Sequence, residues 1–175
     1  MKLAEALALR ADTQKRIAQL RARIVANARY QEGEEPSEDA KALLAEAALA
    51  VGELEQLVRS INATNSAIEV ALPTAPTRSS GGRRRDAGAT EAKTVTMTDA
   101  LALRDSLRMR HAILVEAAEA AQGSGAYRQM RSELRELSAL EVPTLRTQAD
   151  ALARELRELD ARVQQANWAH ELLGD

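Results

Sequence analysis

A heptad stripe follows Pro143 almost to the end of the chain. Leu145, Ala149, Leu152, Leu156, Leu159, Val163 and Ala166 succeed one another at spacings of four and three, and mostly Arg, Glu, Asp and Gln fill the positions between. That pattern demands a long helix lying along a partner helix, its apolar seam covered and its flanks in water. It constrains the architecture more than any other stretch, and it carries no catalytic motif.

The rest of the composition agrees with a helical class. The apolar fraction is 45% of 175 residues, supplied mainly by Ala and Leu; there is no Phe, and Tyr30, Tyr127 and Trp168 are the only aromatics. A sheet protein would draw more on β-branched and aromatic residues, whereas Ala, Leu, Glu, Arg and Gln are strong helix formers. A core of Ala and Leu buries little area per residue, at about 25 cal/mol per Å². Many thin contacts between long helices, within one chain or between copies, meet that limit best.

Periodicity predicts helices over about 2–28, 37–67, 99–121 and 143–172. The first places Leu3, Ala6, Ile17, Leu20, Ile24 and Asn27 on one stripe and stops near Gly33 and Pro36. Ser37 is the expected cap of the second, whose stripe reads Ala40, Leu44, Ala47, Val51, Leu54, Val58, Ile61 and Asn65. Leu43, Ala48 and Leu57 widen that arc beyond a two-helix seam, which predicts more than one neighbour for this helix. Thr98 is the expected cap of the third helix and Gly123 its stop. Pro143 suits the first turn of the fourth.

Two stretches break the pattern. Residues 69–96, with Pro73, Pro76, Gly81, Gly82 and Gly88, read as a long flexible loop that admits a short strand at either end. Tyr127 to Val142 reads equally as a helical turn or an extended segment. Glu5-Ala6-Leu7-Ala8-Leu9-Arg10 returns as Asp99-Ala100-Leu101-Ala102-Leu103-Arg104, an echo that Ala/Leu/Arg bias also produces.

The chemistry of sites is sparse. Neither His111 nor His170 has a second ligand at helical spacing, and no Cys is present, so no metal site or thiol nucleophile is expected. Gly82-Arg83-Arg84-Arg85-Asp86-Ala87-Gly88 is bounded by glycines but lacks the Lys-Ser/Thr pair of a phosphate loop. No Ser occupies a nucleophile elbow. Catalytic residues, metals and cofactors are therefore not expected.

Two polar groups invite a binding role. Arg78, Arg83, Arg84 and Arg85 could tether nucleic acid or an acidic protein, or could simply keep a loop soluble; no aromatic stands among them to stack on bases. Arg10, Asn65, Arg104 and Asn167 interrupt apolar seams, and an up-down topology would gather them with Asn62, Arg108 and Trp168 at one pole. There they could receive an anion, or fix helix register and oligomer order as buried polar residues do in helical assemblies.

The opening Lys2-Leu3-Ala4-Glu5-Ala6-Leu7-Ala8-Leu9-Arg10-Ala11-Asp12 resembles the start of a family of small bacterial helical proteins that carry the label septicolysin. Ile61-Asn62-Ala63-Thr64-Asn65, Leu107-Arg108-Met109-Arg110-His111 and the tail from Glu155 to Trp168 are similar too. The resemblance spans nearly the whole chain outside the Pro/Gly/Arg-rich middle. It implies a helical fold and no particular activity. The label suggests a cytolysin, but no export signal, membrane-inserting aromatic segment or amphipathic strand pair accompanies it, so a toxin is not expected.

Taken together, the residues predict a single all-α domain over 1–175, an elongated antiparallel bundle with coiled-coil packing. The expected function is a non-enzymatic structural or protein-interaction role in a helical homo-oligomer. The alternative is a binding module for nucleic acid or an anionic ligand. A net charge of −2, no apolar run near the roughly 18 residues of a membrane span and no signal peptide predict a cytoplasmic protein with no membrane partner.

Overall fold

Helices α1 (Leu3–Asn27), α2 (Ala40–Ala67), α3 (Met97–Gln122) and α4 (Val142–Ala169) dominate, with strands β1 (Glu69–Ala71) and β2 (Thr94–Thr96) between α2 and α3. The computed structural model describes residues 1–31, 35–73, 93–122 and 138–174. The helical class is as composition and periodicity predict. No helix among the described residues is long and apolar enough to cross a membrane. By packing, the chain falls into two units. One is Met1–Ile68 with Gln164–Asp175, and the other is Glu69–Val163.

In the first unit, α1 and α2 form an antiparallel pair. Arg16 Nη2 donates to Glu46 Oε1 at 2.8 Å, and Arg23 makes a bidentate pair with Glu38. Leu20, Leu43 and Ala50 are buried between the helices, with Ile17, Ile24 and Ala47 packed on them. The expected α1 stripe is thus the buried one. The expected α2 stripe is buried only in part: Ile61 is buried and Ala47, Leu54 and Val58 are half-buried, but Leu44 and Val51 face solvent, while Leu43, Ala50 and Thr64 turn inward. The bulky side chains of α1 interdigitate with the small Ala47 and Ala50, as close packing of facing helices favours.

The second helix also starts later than predicted. Asp39, not Ser37, is its cap, accepting from the backbone N–H of Lys41 at 2.8 Å and of Ala42 at 3.4 Å. Glu38 is drawn instead toward the end of α1, where Asn27 Oδ1 accepts from the Glu38 N–H. Likewise α4 stops at Ala169 rather than 172, because the following residues turn back to the N-terminus. The Leu3 N–H donates to the His170 carbonyl, the Leu172 N–H to the Met1 carbonyl, and the Leu173 N–H to Thr64 Oγ1.

In the second unit, β1 and β2 pair antiparallel in the register Glu69 with Thr96, Val70 with Val95 and Ala71 with Thr94. The ends of the expected 69–96 loop are therefore strands, with Val70 buried. Thr96, not Thr98, caps α3: the Asp99 N–H donates to its hydroxyl, which donates to the Asp99 carboxylate. Half-buried Arg162 from α4 donates to the carbonyls of Ala71 and Leu72, fixing the end of β1. Ala149, Leu159 and Val163 of the predicted α4 stripe are buried here, and Leu145, Leu152 and Leu156 are half-buried.

Candidate interaction surface and polar residues

The polar residues singled out from the sequence divide between the two units. Arg104 and Arg108 lie in the second, where both reach Asp160: Arg108 Nη2 at 3.4 Å and Arg104 Nε at 3.9 Å. Asp105 approaches both guanidiniums as well, at 3.3 and 3.8 Å. Two arginines and two aspartates make a charge-balanced network. Its donors are engaged by carboxylates, which leaves it without the excess positive charge an anion site requires.

Arg10, Asn62, Asn65, Asn167 and Trp168 lie in the first unit. Asn62 is exposed, Asn65 half-buried and Asn167 buried. Arg10 lies on α1, which runs antiparallel to α2. Its Nε is buried and, among the described residues, has no hydrogen-bond partner. Asn62 accepts through its carbonyl from the Ser66 hydroxyl, an ordinary turn of helix. Trp168 stands 61% exposed, an aromatic face presented outward. Arg78, Arg83, Arg84 and Arg85 lie outside the described residues, as do Gly123 and residues 127–137.

Thr64 escaped the sequence reading. It is fully buried, donates to the Ser60 carbonyl at 2.7 Å and accepts from the Leu173 N–H at 2.9 Å. A threonine amid polar neighbours in a helix gives no hint of such a duty. Only the return of the C-terminal segment makes it a clamp.

The feature that stands out is the outward face of α2. Leu44, Leu49 and Val51 are 56, 71 and 50% exposed within two turns of helix. Exposed Ala45, Ala48 and Gly52 lie among them, with no large polar side chain inside the patch. Single exposed apolar residues are ordinary, whereas these three share one stretch of one helix. Lys41 borders it on one side and Glu55 on the other; Glu55 accepts from Arg59 one turn on, at 2.6 Å. The sequence held the signal in two adjacent apolar rows with a seven-residue repeat, one through Leu44 and Val51 and one through Leu43 and Ala50. One helix face can bury only one row against α1.

Along the flank of the α1–α2 pair, the guanidinium of Arg23 donates into the Glu38 carboxylate and lowers its pKa, outweighing the opposing effect of partial desolvation. Arg16 is held more firmly protonated by its hydrogen bond to Glu46 and the charge of that carboxylate. These are rim contacts that fix register. Among the described residues no three His, Asp or Glu side chains come together as a metal ion would need.

Comparison with known proteins places the chain by family. No curated protein matches it significantly. A solved structure, the crystal structure of a functionally unknown conserved protein from Corynebacterium diphtheriae, is similar at 32% identity with a TM-score of 0.77, over 98% of each chain. The model of a family of unknown function, DUF6847, matches residues 10–172. With that match covering nearly its whole length, the chain belongs to the DUF6847 family.

Proposed function

We propose that this protein is a non-enzymatic structural or interaction protein that assembles with copies of itself into a helical homo-oligomer, using coiled-coil-like contacts between chains. The observation that carries this reading is the exposed apolar face of α2, with Leu44, Leu49 and Val51 presented to solvent. An Ala- and Leu-rich core gives each helix little to bury, so further burial between copies adds stability. The motif resemblance to septicolysin-labelled proteins fits a helical scaffold and adds no activity to it. A cytoplasmic location is part of the same proposal.

The alternative is a nucleic-acid or anion-binding module built on Arg78, Arg83, Arg84 and Arg85. The carboxylate pairing of Arg104 and Arg108 weighs against drawing those two into it. Size-exclusion chromatography with light scattering, run at low salt with absorbance at 260 and 280 nm, separates the readings. A nucleic-acid-free oligomer supports self-assembly. A monomer, or a peak rich in 260 nm absorbance that salt strips, favours the alternative.

A further inference from the structure

We infer that α2 pairs with α2 of a second copy, antiparallel, across a two-fold axis passing at Ala48; this rests on the self-assembly proposed above. Three observations on the face converge on that arrangement.

The first is the glycine. Gly52 sits in mid-helix, where glycine costs helix stability relative to alanine. Its backbone needs no positive φ, and a Cβ built on it would meet nothing within 4 Å among the described residues. Neither backbone conformation nor packing among those residues asks for glycine there. A close neighbour from outside the chain does, and the open spot beside Gly52 suits an inserted side chain. With the axis at Ala48, the residue opposite Gly52 is Leu44 of the second copy, the large exposed side chain next along the face.

The second is charge. The same axis sets Lys41 opposite Glu55 of the second copy, and by symmetry the pair forms twice. A parallel pairing would oppose Lys41 to Lys41 and Glu55 to Glu55. A slip of one turn one way brings Lys41 against Arg59, and one turn the other way leaves it over Val51. Like charges directly opposed disfavour the parallel pairing and the first slip, and the second slip forfeits the Lys41–Glu55 pair. Glu55 already accepts from Arg59 within its own helix, so the second copy's Lys41 completes a three-membered network.

The third is the distribution of bulk. Leu44 and Val51 lie toward one edge of the face, Leu49 toward the other, and Ala45 and Ala48 along the middle. In an antiparallel pair like edges meet, so the Leu44 that lies level with Gly52 of the second copy also flanks its Val51. The two Leu49 side chains lie within one turn of each other, and the alanines allow the backbones to approach. One patch complements itself, as a two-fold interface requires. A contact confined to two helices is small among specific interfaces, so the measurements run from low to high micromolar protein.

The test uses the full chain, which has no cysteine. Ala48→Cys is expected to form an intermolecular disulfide under mild oxidation, and Ala112→Cys on α3 serves as control. Gly52→Leu is expected to raise the thermal midpoint of the dilute protein while weakening dimerisation at least tenfold. A merely structural glycine would not move the two readouts in opposite directions. Lys41→Glu and Glu55→Lys each weaken the dimer, and the double exchange restores it. A monomer at every concentration overturns both this inference and the proposed function. An oligomer in which Gly52→Leu and the charge exchanges change nothing, and which cross-links no better at Ala48 than at Ala112, overturns the two-fold arrangement alone.

Discussion

The two faces of α2 are built from much the same residue types and meet opposite fates. Inward, Leu43, Ala50 and Ile61 are buried, with Thr64 fully enclosed. Outward, Leu44, Leu49 and Val51 remain exposed. Hydrophobicity does not separate them, since the exposed set is the bulkier. Complementarity does: α1 brings Ile17, Leu20 and Ile24 to the seam, and those side chains pack on Ala47 and Ala50. A buried face is chosen by what stands opposite it.

The largest expected break in that contrast is at Ile61. Ile61→Ala should cost about 2–5 kcal/mol through lost burial and the cavity left behind, read by urea denaturation of the dilute protein. Leu49→Ala, on the outer face, should change the same quantity by no more than about 0.5 kcal/mol. Equal losses would mean that the outer face is packed within the monomer.

The inner face also carries a polar clamp. Thr64→Val removes the hydroxyl that receives the Leu173 N–H and should cost about 1–3 kcal/mol. Faster amide exchange at Leu173 should accompany it. Unchanged exchange there would break the link between the inner face and the C-terminal return.

At the start of the helix both faces share one determinant. Asp39→Ala should cost about 0.5–2 kcal/mol by releasing the Lys41 and Ala42 N–H groups. It should leave dimerisation of the folded protein unchanged, since the cap belongs to neither face.

The smallest effect belongs to the rim. The Arg23 hydrogen bond depresses the Glu38 pKa in the folded chain, so its contribution is fully present above the unfolded carboxylate value. It is lost as pH falls through the lower, folded value. The pair is solvent-exposed, so the effect is modest and salt weakens it. Following the Glu38 carboxyl by NMR should show a depressed titration that Arg23→Gln returns toward normal. An identical titration in that variant would remove the pair from the account of register.

The α4 stripe from Leu145 to Ala166 was legible because its apolar row is single, with charged flanks that leave one face to bury. The row through Leu3, Leu20 and Ile24 in α1 was legible for the same reason. In α2 two apolar rows run side by side, and sequence weighting favours Leu44 and Val51 over Leu43 and Ala50. The caps show a similar limit. Ser37 and Thr98 are good capping residues, yet Asp39 and Thr96 do the capping. Glu38 is engaged by α1, and Thr96 sits where β2 meets the helix. Of the polar set, Arg104 and Arg108 pair with Asp105 and Asp160, partners that periodicity does not register.

By itself, then, the sequence determined the helical class, the presence of four long helices and the buried stripes of α1 and α4, because local propensity and a single apolar period suffice for each. Only the tertiary structure decided which row of α2 is buried, that Thr64 ties down the C-terminal segment, and that Arg104 and Arg108 are spent on Asp105 and Asp160. Those outcomes depend on partners distant in sequence, and a side chain's fate is set by the volume and charge that meet it.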